Sequence, residues 1–215
     1  PRGGLAFDIG SHVGNRIRAW RALGARVVAV EPHPDLLRIL RVLFGRDEAV
    51  TIVAAAVAAA EGEAKLLVDH RNLTVSTLSP EWTREMAEDT GFRLTRWRPV
   101  QTVPVTTLQA LMTAYGVPDF VKIDVEGLEA EVLNGLDTAL PCLSFESLPA
   151  ARARALACIE RLAALGEDRF NWSVGESHRL ALTAWCTTAA VRGFVANLAA
   201  DDGSGDIYAR LLTRC

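Results

Sequence analysis

Residues Val121 to Leu136, VKIDVEGLEAEVLNGL, carry four carboxylates where an apolar strand runs into an amphipathic helix: Asp124, Glu126, Glu129 and Glu131. Carboxylates at such a junction can take a proton from a reacting hydroxyl, or hold the acceptor that bears it. They also suit a helix start, where the dipole favours negative charge by about 0.3–1 kcal/mol. Asp124 ends the strand and is the candidate base or acceptor anchor. Glu126, just before Gly127, is a second catalytic candidate. Glu129 and Glu131 lie within the helix and read as first-turn charges. Lys122, inside the strand, is expected to pair with a nearby acid. Asp124 and Glu146, both at strand ends, would offer a Mg²⁺ ion only two side chains, so no metal site is assigned.

A second constellation, FDIGSHVGN from Phe7 to Asn15, follows the first apolar strand and opens the first helix. A dinucleotide fingerprint in this place reads G-x-G-x-x-G, and counted from Gly10 its second glycine position is His12. That glycine lets the backbone approach a pyrophosphate. A side chain there, with Asp8 two residues before Gly10, makes a poor seat for a doubly negative group. The pattern suits a ligand with a positive centre and no phosphate. S-adenosylmethionine, with a sulfonium, an ammonium and one carboxylate, is such a ligand. Gly10 and Gly14 allow close approach of the chain, and the helix N-terminus favours the carboxylate. Glu31, at the end of the second strand, is placed to accept both ribose hydroxyls. His70 closes a strand before a polar stretch and is the third catalytic candidate, since a histidine accepts a proton near neutral pH. His12 is read as structural.

These residues need a scaffold that gathers strand ends. LAFDI, ARVVAVE and VTIVAAAV are apolar strands, separated by helical patterns over Val13–Leu23 and after Pro34. Such repetition argues a parallel sheet covered on both faces. The pattern breaks at about Glu61. AKLLV and VQTVPV read as pairing strands around a polar stretch, Arg71–Pro99, with a short helix near Glu81–Glu88. Trp82 and Trp97 in this stretch either line an acceptor pocket or pack beneath it. Regular order returns at a capping box, Thr106 to Gln109. DFVKID, CLSFES, RFNWSV and DIYARLL supply further strands, with helices at EGLEAEVLNGL and ARARALACIERLAALG. We therefore expect one domain over 1–215, with an insertion at about 61–105 covering the acceptor side. Asp8, Glu31, Asp124 and Glu146 share the carboxyl edge of the sheet, where ligands of open α/β folds bind.

Bulk properties narrow the classes. The chain has 215 residues, half of them hydrophobic, and a net charge of −3. That charge gives no electrostatic footprint for nucleic acid. No apolar run reaches the roughly 18 residues of a membrane span. Cys142, Cys158, Cys186 and Cys215 lie too far apart for a zinc site or a disulfide framework, so reduced thiols in the cytoplasm are expected. The chain opens at Pro1 without a Met and soon enters a strand, which suggests a piece of a longer protein.

Taken together, FDIGSHVGN, VVAVEPHP, VPVTTLQAL, GVPDFVKIDVEGLEAEVLNGL, LSFE and GDIYARL resemble the FkbM-type methyltransferases over nearly the whole chain, with KIDVEG the most specific piece. The resemblance implies a Rossmann-like α/β fold with a seven-stranded, mostly parallel sheet whose last strand is antiparallel. It implies S-adenosylmethionine as cofactor, and it puts Asp8, Gly10, Gly14 and Glu31 on the cofactor motifs, with Asn15 and Asp124 beside them. It also implies methyl transfer to a hydroxyl oxygen of a small molecule or glycan. A nicotinamide-dependent oxidoreductase and a non-catalytic relative that keeps the fold are the competing readings. Neither the acceptor nor the oligomeric state follows from the sequence.

Overall fold

The computed structural model describes residues 3–88, 92–177, 179–199 and 202–211. Strands β1 (Leu5–Ile9), β2 (Arg26–Val30) and β3 (Val50–Val53) alternate with helices α1 (Asn15–Ala22) and α2 (Pro34–Phe44). After an intervening region come α4 (Leu108–Tyr115), β8 (Phe120–Ile123), α5 (Glu129–Asn134), β9 (Cys142–Ser147), α6 (Arg152–Leu165), β10 (Arg169–Val174), α7 (Thr188–Ala196) and β11 (Gly205–Arg210). Seven strands form one sheet in the order β10-β11-β9-β8-β1-β2-β3. β11 runs antiparallel to both its neighbours, and the remaining pairs are parallel. Here the expected fold is found.

Apolar strands buried on both faces explain the layering. Val28 and Val30 join Leu5, Phe7 and Ile9 in a core covered by α4, α5, α6 and α7. Val27 and Ala29 point to the opposite face, as alternation in a strand requires, and pack with Ile17 of α1 and with Leu40 and Phe44 of α2. Helix starts are capped locally: His33 Nδ1 accepts from Asp35 N at the start of α2. At α4 the cap is Thr107, whose Oγ1 accepts from Ala110 N at 3.0 Å, one residue later than the capping box read from the sequence. α7 has no counterpart in the sequence reading, which missed Val191 and Val195, one helical turn apart and both fully buried.

The third apolar run is two strands rather than one. Val50–Val53 stays in the large sheet, whereas Ala56–Val57 (β4) crosses to a second sheet of order β4-β7-β5-β6. This sheet contains β5 (Gly62–Asp69), β6 (Asn72–Thr77) and β7 (Arg98–Thr106), and α3 (Pro80–Met86) follows β6. β5 pairs antiparallel with β7, so AKLLV and VQTVPV do meet. The switch of sheets is legible only in three dimensions, because an alanine-rich run satisfies either partner.

A tight contact ties the region of the second sheet to the first. Trp82 of α3 is 1% exposed and packs with Met86, Val75, Phe92 and Trp97. A Cβ at Gly127, in the β8–α5 loop, would lie 2.0 Å from Trp82 Cδ1, and Gly127 has φ +94°. Gly127→Ala therefore meets both steric overlap and a left-handed backbone. We expect it to lower unfolding free energy by roughly 2–4 kcal/mol in urea denaturation. Gly203→Ala, which meets nothing within 4 Å, serves as the near-neutral control.

Candidate functional site

The β1–α1 turn brings the FDIGSHVGN constellation to the carboxyl edge. Gly10 and Ser11 both donate backbone hydrogen bonds to Val30 O. Gly10 has φ +82°, and a Cβ on it would stand 1.8 Å from Asp124 O, so this glycine lets two loops touch. Gly14 is different. Its added Cβ would strike Phe44 Cε2 at 2.4 Å, and it is absent from the lining of the cleft described below. Packing of α1 on α2 is thus a sufficient reason for a glycine at position 14. Asn15, the first residue of α1, does line the cleft.

Glu31 is held from both sides. His12 N donates to Oε2 at 2.9 Å and His33 N donates to Oε1 at 2.8 Å. His12 itself adopts φ +49° to reach it. Burial raises the Glu31 carboxyl to about 7, against the pull of those two amides. Asp8 is 2% exposed and its Oδ2 has no hydrogen-bond partner among the described residues. Burial raises it to about 7 as well, with Arg16 opposing and Asp124 adding to the rise.

The constellation around Asp124 is an ion network. Lys122, 1% exposed, lies 2.6 Å from Asp206 Oδ1 and 3.5 Å from Asp124 Oδ2. Arg16 reaches Asp124 Oδ2 at 3.4 Å and Asp206 Oδ2 at 3.6 Å. Burial alone would lower the Lys122 ammonium's pKa, but Asp124 and Asp206 outweigh it and hold it above the ordinary value. Lys122 thus has its acid, and the partner is one the sequence reading did not single out. Antiparallel pairing sets Asp206 opposite Glu146, across more than 50 residues of intervening chain, and no local spacing signals this.

Asp124, Glu126 and Glu146 each contribute one carboxylate oxygen to a group whose members lie within 4.8 Å of one another. Burial pushes Glu126 well above the usual carboxylate range, with Glu146 and Asp124 adding to the rise, and burial together with Asp124 raises Glu146 to about 8. Glu126 is not in a first helical turn, because α5 begins only at Glu129. It sits in the preceding loop with φ +54°, and its carbonyl accepts from Thr77 Oγ1 at 2.7 Å. Glu129 is buried, and its Oε1 accepts from Val125 N and Gly127 N, both at 3.2 Å. It shapes the loop rather than decorating the helix. Glu131 is exposed in the first turn.

One cleft of about 990 Å³ joins these parts, at the upper end of the usual size for small-molecule sites. Asp8, Gly10, Asn15 and Glu31 line one part of the wall, and Asp124, Glu126, Glu146 and Asp206 another. Leu73, Thr74, Ser76 and Thr77 of the second sheet also line it. His70 does not: it is exposed and outside the lining. Trp82 and Trp97 are likewise absent from the lining and pack beneath the second sheet.

Comparison with known proteins follows the same lines. The family model described as the methyltransferase FkbM domain matches residues 8–149. A search among curated proteins finds no match. Similar solved structures include Aeropyrum pernix fibrillarin with natively bound S-adenosyl-L-methionine, at TM-score 0.50 and 11% identity, covering 97% of this chain and 66% of that one. Precorrin 8W decarboxylase from Methanobacterium thermoautotrophicum matches at TM-score 0.50 and 12% identity, covering 98% and 83%. Methanococcus jannaschii fibrillarin matches at TM-score 0.50 and 11% identity, covering 98% and 67%. At these identities the likeness is one of fold.

The Lys122–Asp206 pair gives a direct test of the network. Asp206→Ala leaves a buried ammonium without its nearest counter-charge and should lower unfolding free energy by roughly 3 kcal/mol in chemical denaturation. The apolar double variant Lys122→Met with Asp206→Leu should recover most of that loss.

Proposed function

Because the chain belongs to the FkbM methyltransferase family, we propose that it transfers the methyl group of S-adenosylmethionine to a hydroxyl oxygen of a small-molecule or glycan acceptor. Methyl transfer and the cofactor follow from family and fold; the oxygen target and the residue roles are our reading. The observation that carries it is the convergence on one cleft of a cofactor-type wall, Asp8, Gly10 and Glu31, with an acid-rich wall, Asp124, Glu126 and Glu146.

The residues present suit the cofactor. Each Glu31 oxygen accepts one backbone hydrogen bond and keeps a lone pair for a ribose hydroxyl. Asp8 Oδ2 is a buried acceptor in want of a donor, which the cofactor's ammonium supplies. Asn15 stands at the N-terminal end of α1, where a carboxylate is favoured. When bound, S-adenosylmethionine contributes an electrophilic methyl on sulfur. The chain's part is to orient the acceptor oxygen in line with it, which is worth several kcal/mol, and to receive the hydroxyl proton. Asp124, fixed by Arg16 and Lys122, anchors the acceptor, with Glu126 beside it. The second sheet, through Thr74, Ser76 and Thr77, covers the acceptor side of a single methyltransferase domain.

Two outcomes follow. Ribose hydroxyls and an ammonium prefer ionised carboxylates, whereas Asp8 and Glu31 hold their protons up to about pH 7 in the free protein. Binding should therefore strengthen as pH rises from about 6 to about 7.5, below the range in which the cofactor's α-amino group loses its own proton. Glu31→Gln should flatten part of that rise, and Glu31→Ala should cost roughly 1–3 kcal/mol of affinity. Calorimetry at fixed ionic strength reads both; wild-type affinity in Glu31→Ala would remove Glu31 from the cofactor site. For the acceptor, release of S-adenosylhomocysteine is followed across a library of hydroxyl, amine and thiol compounds. Asp124→Asn should keep S-adenosylmethionine binding and lose about 10²-fold or more in turnover on hydroxyl acceptors. Turnover confined to amines or thiols, or a wild-type rate in Asp124→Asn, contradicts the proposal, as does tight NAD binding without S-adenosylmethionine binding.

A further inference from the structure

We propose that the cleft extends along α1 into an arm that binds a planar aromatic ring of the acceptor, with Trp20, Phe120 and Tyr208 as its stacking surface. The inference names the acceptor class for the reaction proposed above and rests on that reading for its chemistry, though not for its geometry.

Alternation along three strands builds the floor of the arm. Val121 and Ile123 of β8, Leu143 and Phe145 of β9, and Ile207 and Ala209 of β11 all face the core beneath α4 to α7. Phe120, Ser144 and Tyr208 therefore face the other way. On that side α1 and α2 lie over β1, β2 and β3, and Phe120, Ser144 and Tyr208 line the cleft. α1 forms the side wall. Arg16, Ala19, Trp20 and Leu23 line the cleft along its length, at the spacing of one helix face.

The chemistry of the arm selects its occupant. Trp20 and Phe120 stand 6.0 Å apart between ring centroids, and Phe120 and Tyr208 stand 6.3 Å apart, within the range of aromatic packing. All three are half-buried, and Leu23 is 50% exposed, so the arm opens to solvent. Below the Asp124–Asp206 rim, Ala6, Ala19 and Leu23 add apolar surface, and among the described residues the polar side chains lining the arm are those of Ser144 and Tyr208. A sugar ring would leave most of its hydroxyls without partners here, at a cost for each. A planar aromatic ring asks only for flat apolar contact, which three neighbouring rings supply.

Register joins the arm to the reaction centre. Tyr208 pairs with Ser144, and Ser144 with Lys122, which lies two residues before Asp124. At about 3.3 Å per residue, this row lies roughly 7 Å below Asp124. A fused two-ring compound spans that distance, with its far ring on Tyr208 and Phe120 and its hydroxyl at Asp124. The phenol oxygen takes the methyl there as the sulfur–methyl bond breaks, and its proton passes to the Asp124 carboxylate.

The test is calorimetric binding of naphthol and of methyl glucoside to the full chain saturated with S-adenosylhomocysteine. Transfer of labelled methyl from S-adenosylmethionine to each compound is measured in parallel. We expect naphthol to bind at least about tenfold more tightly than methyl glucoside and to be methylated. Phe120→Ala should weaken naphthol binding by about tenfold. Ala19→Arg obstructs the arm from an exposed position of α1 and should give the same loss even where Phe120→Ala fails to fold. Val42→Ser, at a residue of α2 that is 85% exposed and outside the cleft, should leave binding unchanged. Methyl glucoside binding within tenfold of naphthol, absence of naphthol binding, or naphthol binding indifferent to the arm variants overturns the proposal. So does a dimer in light scattering that Ala19→Arg dissociates, because a second copy then fills the arm. Naphthol held in the arm without methylation leaves the arm standing and counts against oxygen transfer. Methylation of hydroxyl compounds that ignores the arm variants leaves the reaction standing and removes the arm from it.

Discussion

The ammonium of Lys122, buried in the middle of the large sheet, constrains the rest of this structure. Such a charge costs several kcal/mol to bury and is tolerable only with well-placed counter-charges. Asp206 at 2.6 Å and Asp124 at 3.5 Å supply them. Asp206 comes from β11, so the final strand must insert antiparallel between β9 and β10 to deliver it. The same insertion sets Asp206 beside Glu146. A requirement of the core thereby collects acids from three strands and a loop at one rim, and Arg16 of α1 closes the network from above.

The rim's shape depends on a second set of contacts, between the two sheets. Trp82 fills the space over Gly127, and Arg154 of α6 donates to Gly127 O at 2.5 Å while pairing with Glu85 of α3. With Glu129 and Thr77 fastening the loop from within, Glu126 is kept in a left-handed conformation that a free glutamate seldom adopts. The second sheet is therefore a wall of the cleft as well as a neighbour of the sheet. These hydrogen bonds hold the loop that places Glu126 in the cleft's acid-rich wall.

Much of this was legible in the residues. Apolar runs ending in Asp8, Glu31 and Asp124 announced parallel strands with a charged carboxyl edge, because strand burial and ligand edges leave separate marks in sequence. Long-range pairing leaves no such mark. Asp206 and Arg16 were missed as site residues because their importance arises from register between distant strands. Gly14 looked like a cofactor glycine by its spacing, yet its constraint comes from Phe44 on another helix. His70 stood at the end of a strand as expected, but that strand belongs to the second sheet and the imidazole faces solvent. Glu129 looked like helix dressing, and only the delayed start of α5 turns it into the clamp of the loop.

The proposed reaction requires that a single cleft hold the cofactor between Glu31 and the Asp124–Glu126–Glu146 rim. A crystal structure with S-adenosylhomocysteine tests it most directly. The expected result is ribose hydroxyls on the Glu31 carboxylate, the amino group at Asp8, and the sulfur turned toward Asp124, with open space between sulfur and rim for an acceptor. A nucleoside bound away from Glu31, or a sulfur facing away from the rim, would contradict it.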